Sequence, residues 1–168
     1  MELAFKRSVL LMAPTCAVGV FSFAPQGIAS TKMEQSLPRT TGGLTLQLLL
    51  IALAGATGAL SRYALQGFIN DRTLSAFPYG TFVVNLSGSF LLGFLATVGL
   101  DRFAINPSYR AALTVGFVGA YTTFSTWSYE TLHLIEGGSF GLAAANALGS
   151  LVAGLAAVWL GVVAGRLV

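Results

Sequence analysis

Apolar side chains fill four runs of the chain, Leu44 to Gln66, Gly80 to Leu100, Ala111 to Leu134 and Phe140 to Gly165, and polar, turn-forming residues fall between them. Each run reaches the ~20 residues needed to cross ~30 Å of hydrocarbon. The pattern therefore predicts four transmembrane helices. The links are short: Asn70-Asp71-Arg72 followed by Phe77-Pro78, Asp101-Arg102 followed by Asn106-Pro107, and Glu136-Gly137-Gly138-Ser139. Short links make successive helices alternate in direction and leave no room for a soluble catalytic domain. Pro107 after Asn106 suits a helix start, where its missing N–H costs nothing.

Composition agrees with the pattern. Apolar residues make up 55% of the 168 residues and charged residues 9%, and the mean hydropathy is +0.77. A soluble domain carries about a quarter charged residues, so the chain reads as an integral membrane protein.

The third run departs from plain lipid-facing chemistry. Between Gly116 and Trp127 it holds the glycines Gly116 and Gly119, the hydroxyls of Thr122, Thr123, Ser125 and Thr126, and the aromatics Phe117, Tyr121, Phe124 and Trp127. Polar or non-helical backbone at membrane depth survives only where protein encloses it or where it borders a water-filled cavity. The segment reads as the wall of a path for something polar.

Other intramembrane polar residues sharpen this, because each is costly and tends to face a partner or a water path. Arg62 ends the first run, either as an interfacial anchor that snorkels or as part of the path. Asn85 lies within the second, where one hydrogen bond between helices would also account for it. Glu130 and His133 lie toward the far end of the third, and an interfacial position explains His133. Asn146 and Ser150 share a face of the fourth at i, i+4 spacing. Glycines at 55, 58, 88, 93, 149, 154, 161 and 165 provide small-residue faces, which permit close helix approach in lipid. They speak for tight packing or a dimer, not for a substrate.

Residues Met1 to Gly43 form an extension of a different kind. Lys6 and Arg7 precede an apolar stretch from Val9 to Ala24 broken by Pro14, and Pro25 to Thr41 is polar. The order matches a secretory signal, and an upstream start codon adding a disordered tail matches it equally. Cys16, the only cysteine, lies here, so there is no intrachain disulfide and no thiolate metal cluster.

The net charge of +3 is not a nucleic-acid signature, since the basic residues are scattered rather than gathered in a stripe. In the four-helix topology Arg39, Arg102, Arg110 and Arg166 fall on one side and Arg62 and Arg72 on the other. So slight a bias sets only a weak orientation preference, and insertion in both directions is expected.

Three elements together carry a family resemblance: Gly55-Ala56-Thr57-Gly58-Ala59-Leu60-Ser61-Arg62-Tyr63, Gly80-Thr81-Phe82-Val83-Val84-Asn85, and Gly116 through Thr126 with Glu130 following. In this order and spacing they closely resemble the Fluc (CrcB) fluoride channels, over essentially Leu44 to Val168. The resemblance implies an all-α membrane protein with four transmembrane helices per subunit, the third broken mid-membrane, assembled as an antiparallel dual-topology homodimer in the plasma (inner) membrane. It implies passive export of fluoride that lowers the cytoplasmic level. It also implies a structural sodium ion at the dimer centre, held by the backbone carbonyls of Gly119 and Thr122, with Asn85 and Phe124 in the pore and Glu130 at a vestibule.

Trp127 departs from the family, which has phenylalanine there. A phenyl rim carries positive potential from the ring quadrupole and meets an anion without a formal charge. Either the Trp127 indole N–H takes over contact with the ion, or the larger ring narrows the path.

The residues suit that chemistry. A selective pore must replace the water shell of a small anion yet release it. The Asn85 amide, the hydroxyls of Ser125, Thr126 and Ser150, and the Phe124 rim are weak donors of this kind. Arg62, nearer an end, would concentrate anions at a vestibule. No P-loop that would energise a pump is present. A small four-helix dual-topology cation or drug exporter is the alternative, but it calls for a mid-membrane carboxylate, and Glu130 is the one candidate. An enzyme would need a nucleophile with its base or a metal cluster, and a single His and a single Cys do not supply them.

Overall fold

The computed structural model describes residues 41–99 and 105–168, all within one compact unit. Residues 1–40, with Cys16, Arg39 and nearly all of the extension, and the Asp101-Arg102 link lie outside the described residues.

The described residues are helical, with no strand among them. Helix α1 spans Thr41–Asn70, beginning three residues before the expected start at Leu44 and running four past Gln66. At 1.5 Å per residue its 30 residues reach about 45 Å, longer than the ~30 Å hydrocarbon layer. Helix α2 spans Tyr79–Thr97. Asn106 caps the next helix by accepting from Ser108 N–H at 2.9 Å, with Pro107 in its first turn. That helix, α3 (residues 107–121), passes through a π-type segment at Ala112–Val118 and closes on the turn Gly119–Tyr121.

After an interruption, α4 spans Phe124–Glu136. Gly138 makes the turn that follows with φ +72°, a left-handed backbone that glycine adopts without steric cost. Helix α5 (Phe140–Leu167) contains a second π-type segment at Ala145–Gly149.

Among the described residues three helices are long and apolar enough to cross a membrane: Gly42–Asn70, Tyr79–Thr97 and Phe140–Leu167. The run from Ala111 to Leu134 is two shorter helices, because the backbone leaves helical geometry between them at Thr122 and Thr123, as expected of a third helix broken mid-membrane. The result is a multi-pass α-helical membrane protein.

Small residues set the packing. The most extensive contact joins α2 to α5, which run in the same direction, with Phe90 against Gly161 and Thr97 against Gly165. A Cβ at Gly93 would collide with the Val158 carbonyl, and one at Gly161 with the Phe90 carbonyl. Gly58 on α1 sits in the same way against the backbone of Phe117 on α3. Close backbone approach of this kind replaces the hydrophobic drive that lipid does not supply. Many large apolar side chains of α1 and α5, such as Leu53, Leu60, Leu148 and Leu155, point outward, as a lipid-facing surface requires.

Candidate functional site

The interruption between α3 and α4 is two residues long. Thr122 (φ −81°, ψ 156°) and Thr123 (φ −146°, ψ 117°) are extended. In an unbroken helix the Thr123 N–H would donate to the Gly119 carbonyl, four residues back. Here it donates to Asn85 Oδ1 at 2.8 Å, and Asn85 Nδ2 returns a bond to the Thr123 carbonyl at 3.0 Å. Likewise the Thr126 N–H, which would pair with the Thr122 carbonyl, donates to Thr123 Oγ1 at 3.2 Å. Thr123 is thus the N-cap of α4. The carbonyls of Gly119 and Thr122 thereby lose the donors an intact helix would give them.

Glycine places α2 close to this break. A Cβ on Gly88 would collide with the Thr122 side chain and approach the Tyr121 ring to 3.1 Å. Buried Tyr121 stacks on Phe117 and donates from its hydroxyl to Ser87 Oγ at 2.9 Å, since that Oγ is itself the donor to the carbonyls of Val83 and Val84.

Phe124 and Trp127 follow the break on α4, their rings 5.0 Å apart and tilted by 36°. Phe124 is 77% exposed in the single chain. The Trp127 indole N–H donates to the Asn146 carbonyl at 3.1 Å. The one indole hydrogen is therefore taken up within the protein. Ser125 is exposed, with its Oγ 3.3 Å from Thr123 Oγ1, and Thr126 Oγ1 accepts from Thr123 Oγ1 at 2.9 Å. Ser150 donates to Asn146 Oδ1 at 3.4 Å, so the expected shared face of these two residues is realised despite the π-type segment.

Arg62 donates from Nε to the Ala120 carbonyl at 3.2 Å. Ala120 lies in the last turn of α3, where carbonyls lack intrahelical donors and the helix dipole is negative. The guanidinium thus sits next to the break, not at a distant interface.

Glu130 is the seventh of the thirteen residues of α4, so its expected place near a helix end is corrected to mid-helix, because the break resets where the helix begins. It stands level with the first turn of α2, where Thr81 Oγ1 donates to Glu130 Oε1 at 2.7 Å and accepts from Gln66 Nε2 at 2.6 Å. Thr81 is 1% exposed, and Glu130 Oε2 is buried with no hydrogen-bond partner. This three-helix chain was not foreseen as a unit. The available signal was Thr81 four residues before Asn85, on one face of α2. Thr131 was likewise not singled out, since isolated threonines in a membrane helix usually bond their own backbone.

Among the described residues no cluster of His, Cys, Asp or Glu could hold a metal ion.

The described residues form a multi-pass helical membrane protein with an interrupted helix, its break held by an amide and followed by hydroxyls and aromatic rings. The chain belongs to the CrcB family: the model described as CrcB-like protein, Camphor Resistance (CrcB), matches residues 49–162. Among similar proteins is a fluoride-specific ion channel FluC of Methylococcus capsulatus, 52% identical over 123 residues, 73% of this chain and 54% of that protein. A fluoride-specific ion channel FluC of Citrifermentans bemidjiense is 47% identical over 120 residues, 71% of this chain and 97% of that protein. One of Acidobacterium capsulatum is 46% identical over 121 residues, 72% and 97% of the two chains. The chain thus spans about half the length of the first relative and nearly all of the other two. All three are named as channels, not as enzymes.

Proposed function

We propose that this protein is a fluoride-selective channel that lets fluoride leave the cell passively and so lowers its cytoplasmic level. The observation that carries the reading is the amide clamp of Asn85 on Thr123, which keeps a helix break satisfied beside the Phe124–Trp127 pair. The names of relatives 46–52% identical point the same way.

The chemistry follows from the donors. Fluoride gives up its water shell to weak neutral partners: the hydrogen of Asn85 Nδ2 not used on Thr123, the hydroxyls of Ser125 and Thr126, and the positive rim of Phe124; the Ser150 hydroxyl joins them only on leaving Asn146 Oδ1. None is a fixed cation, so none traps the ion. Arg62 supplies positive potential near the break, and Glu130, held by buried Thr81, stands at a vestibule. A membrane potential negative inside favours exit of one negative charge by about 2.3 kcal/mol per 100 mV, so no energy-coupling site is needed.

The working unit in this reading is an antiparallel, dual-topology homodimer of four-span subunits in the plasma (inner) membrane. The exposure of Phe124 supports a second copy facing it, and the slight Arg bias supports insertion both ways. A structural sodium ion belongs at the centre of that dimer. The carbonyls of Gly119 and Thr122, released from their helical donors by Asn85 and Thr123, fit a hard cation that takes oxygen ligands. Bound there, the ion would tie the two breaks together and neutralise their negative dipoles.

Purified protein in sealed liposomes tests the reading: fluoride efflux under an outward gradient supports it, and vesicles that stay tight to fluoride refute it.

A further inference from the structure

The Trp127 indole N–H is the only conventional hydrogen-bond donor on the two rings of the aromatic pair, since phenylalanine has none. It points into the protein, to the main-chain carbonyl of Asn146 at 3.1 Å. That carbonyl lies in the π-type segment of α5 and also accepts from Ser150 N–H. The Asn146 side chain, 0% exposed, completes a circuit: Nδ2 donates to Thr131 Oγ1 at 2.8 Å, and Thr131 Oγ1 donates to the Trp127 carbonyl at 2.7 Å. One residue of α5 therefore holds Trp127 at its ring nitrogen directly and at its main chain through Thr131.

An indole nitrogen carries a single hydrogen, so the bond to Asn146 leaves nothing for an ion. What the ring can offer is its C–H rim, positive by virtue of the quadrupole.

We infer that Trp127 meets the ion by its ring rim alone, and that Asn146, acting with Thr131, is the positioning residue that withholds the indole N–H from the ion. The inference rests on the reading that fluoride passes beside Phe124 and Trp127.

The chain has two tryptophans, and Trp159 is 64% exposed on α5, so Trp159→Phe leaves one indole to observe. In the full-length W159F protein, labelled with ¹⁵N and held in lipid nanodiscs, the indole N–H resonance of Trp127 is expected to stay in place as sodium fluoride replaces sodium chloride. A saturable fluoride-dependent shift would overturn the inference. Thr131→Val removes the hydroxyl link at nearly constant volume. It is expected to move the indole resonance and lower fluoride flux by up to roughly tenfold, the scale of one hydrogen bond, with the assembly size unchanged on gel filtration. Thr131→Ser is expected to recover both. An unmoved resonance in T131V, or a moved one with unaltered flux, would overturn the positioning role. Failure of the channel reading looks different: the unsubstituted protein would pass no fluoride, whereas the indole bond is read from the resonance without any flux.

Discussion

Asn85 and Thr123 exchange two hydrogen bonds, Thr123 N–H to Asn85 Oδ1 at 2.8 Å and Asn85 Nδ2 to the Thr123 carbonyl at 3.0 Å. One side chain of α2 thus takes over the backbone pairing that the helix break gives up, in a medium that offers no water to do so. Asn85→Leu removes both bonds and strands two backbone groups, each costing ~1–3 kcal/mol. The expected outcome is a loss of thermal stability together with a loss of fluoride flux. Asn85→Asp keeps the acceptor, loses the donor and is expected to fall between, which melting curves in detergent would check.

Glycine substitutions should rank by what a new methyl meets. Gly58→Ala would drive Cβ into the Phe117 backbone, which cannot yield without moving α3. Gly88→Ala meets the Thr122 methyl and the Tyr121 ring, which can shift slightly. Gly67→Ala meets nothing within 4 Å and gains ~0.5–1 kcal/mol of helix preference. The expected order of thermal stability is G67A above the unsubstituted protein, then G88A, then G58A.

Phe124→Ile tests the ring rim without disturbing the core, since Phe124 is largely exposed in the single chain. Flux is expected to vanish while gel filtration shows an assembly of unchanged size. Retained flux would take Phe124 out of the path.

Thr81→Val cuts the chain from Gln66 to Glu130 and leaves both carboxyl oxygens of Glu130 without a partner. Destabilisation of ~1–3 kcal/mol is expected, with recovery in Thr81→Ser, which keeps the hydroxyl. Unfolding followed for the three proteins side by side would show it.

The sequence was most informative where chemistry and spacing coincide. The threonines and glycines of residues 116–127 marked the interruption, Asn106-Pro107 marked a helix start, and three apolar runs became long helices with ends shifted by only a few residues. Contacts between segments far apart in sequence were not legible. Nothing near Asn85 names Thr123 as its partner, and nothing near Trp127 shows that its N–H faces Asn146 rather than the path. The π-type segments at Ala112–Val118 and Ala145–Gly149 carry no local signature in the sequence. The position of Glu130 within its helix was not legible either, because it depends on where the helix resumes after the break, at Phe124.

Ion selectivity in a sealed membrane is the property that most directly distinguishes a fluoride channel from any other membrane bundle. Liposomes containing the purified protein, loaded with equal fluoride and chloride and followed with an electrode for each, should release fluoride rapidly and hold chloride. Release of both at equal rates, or of neither, would contradict it.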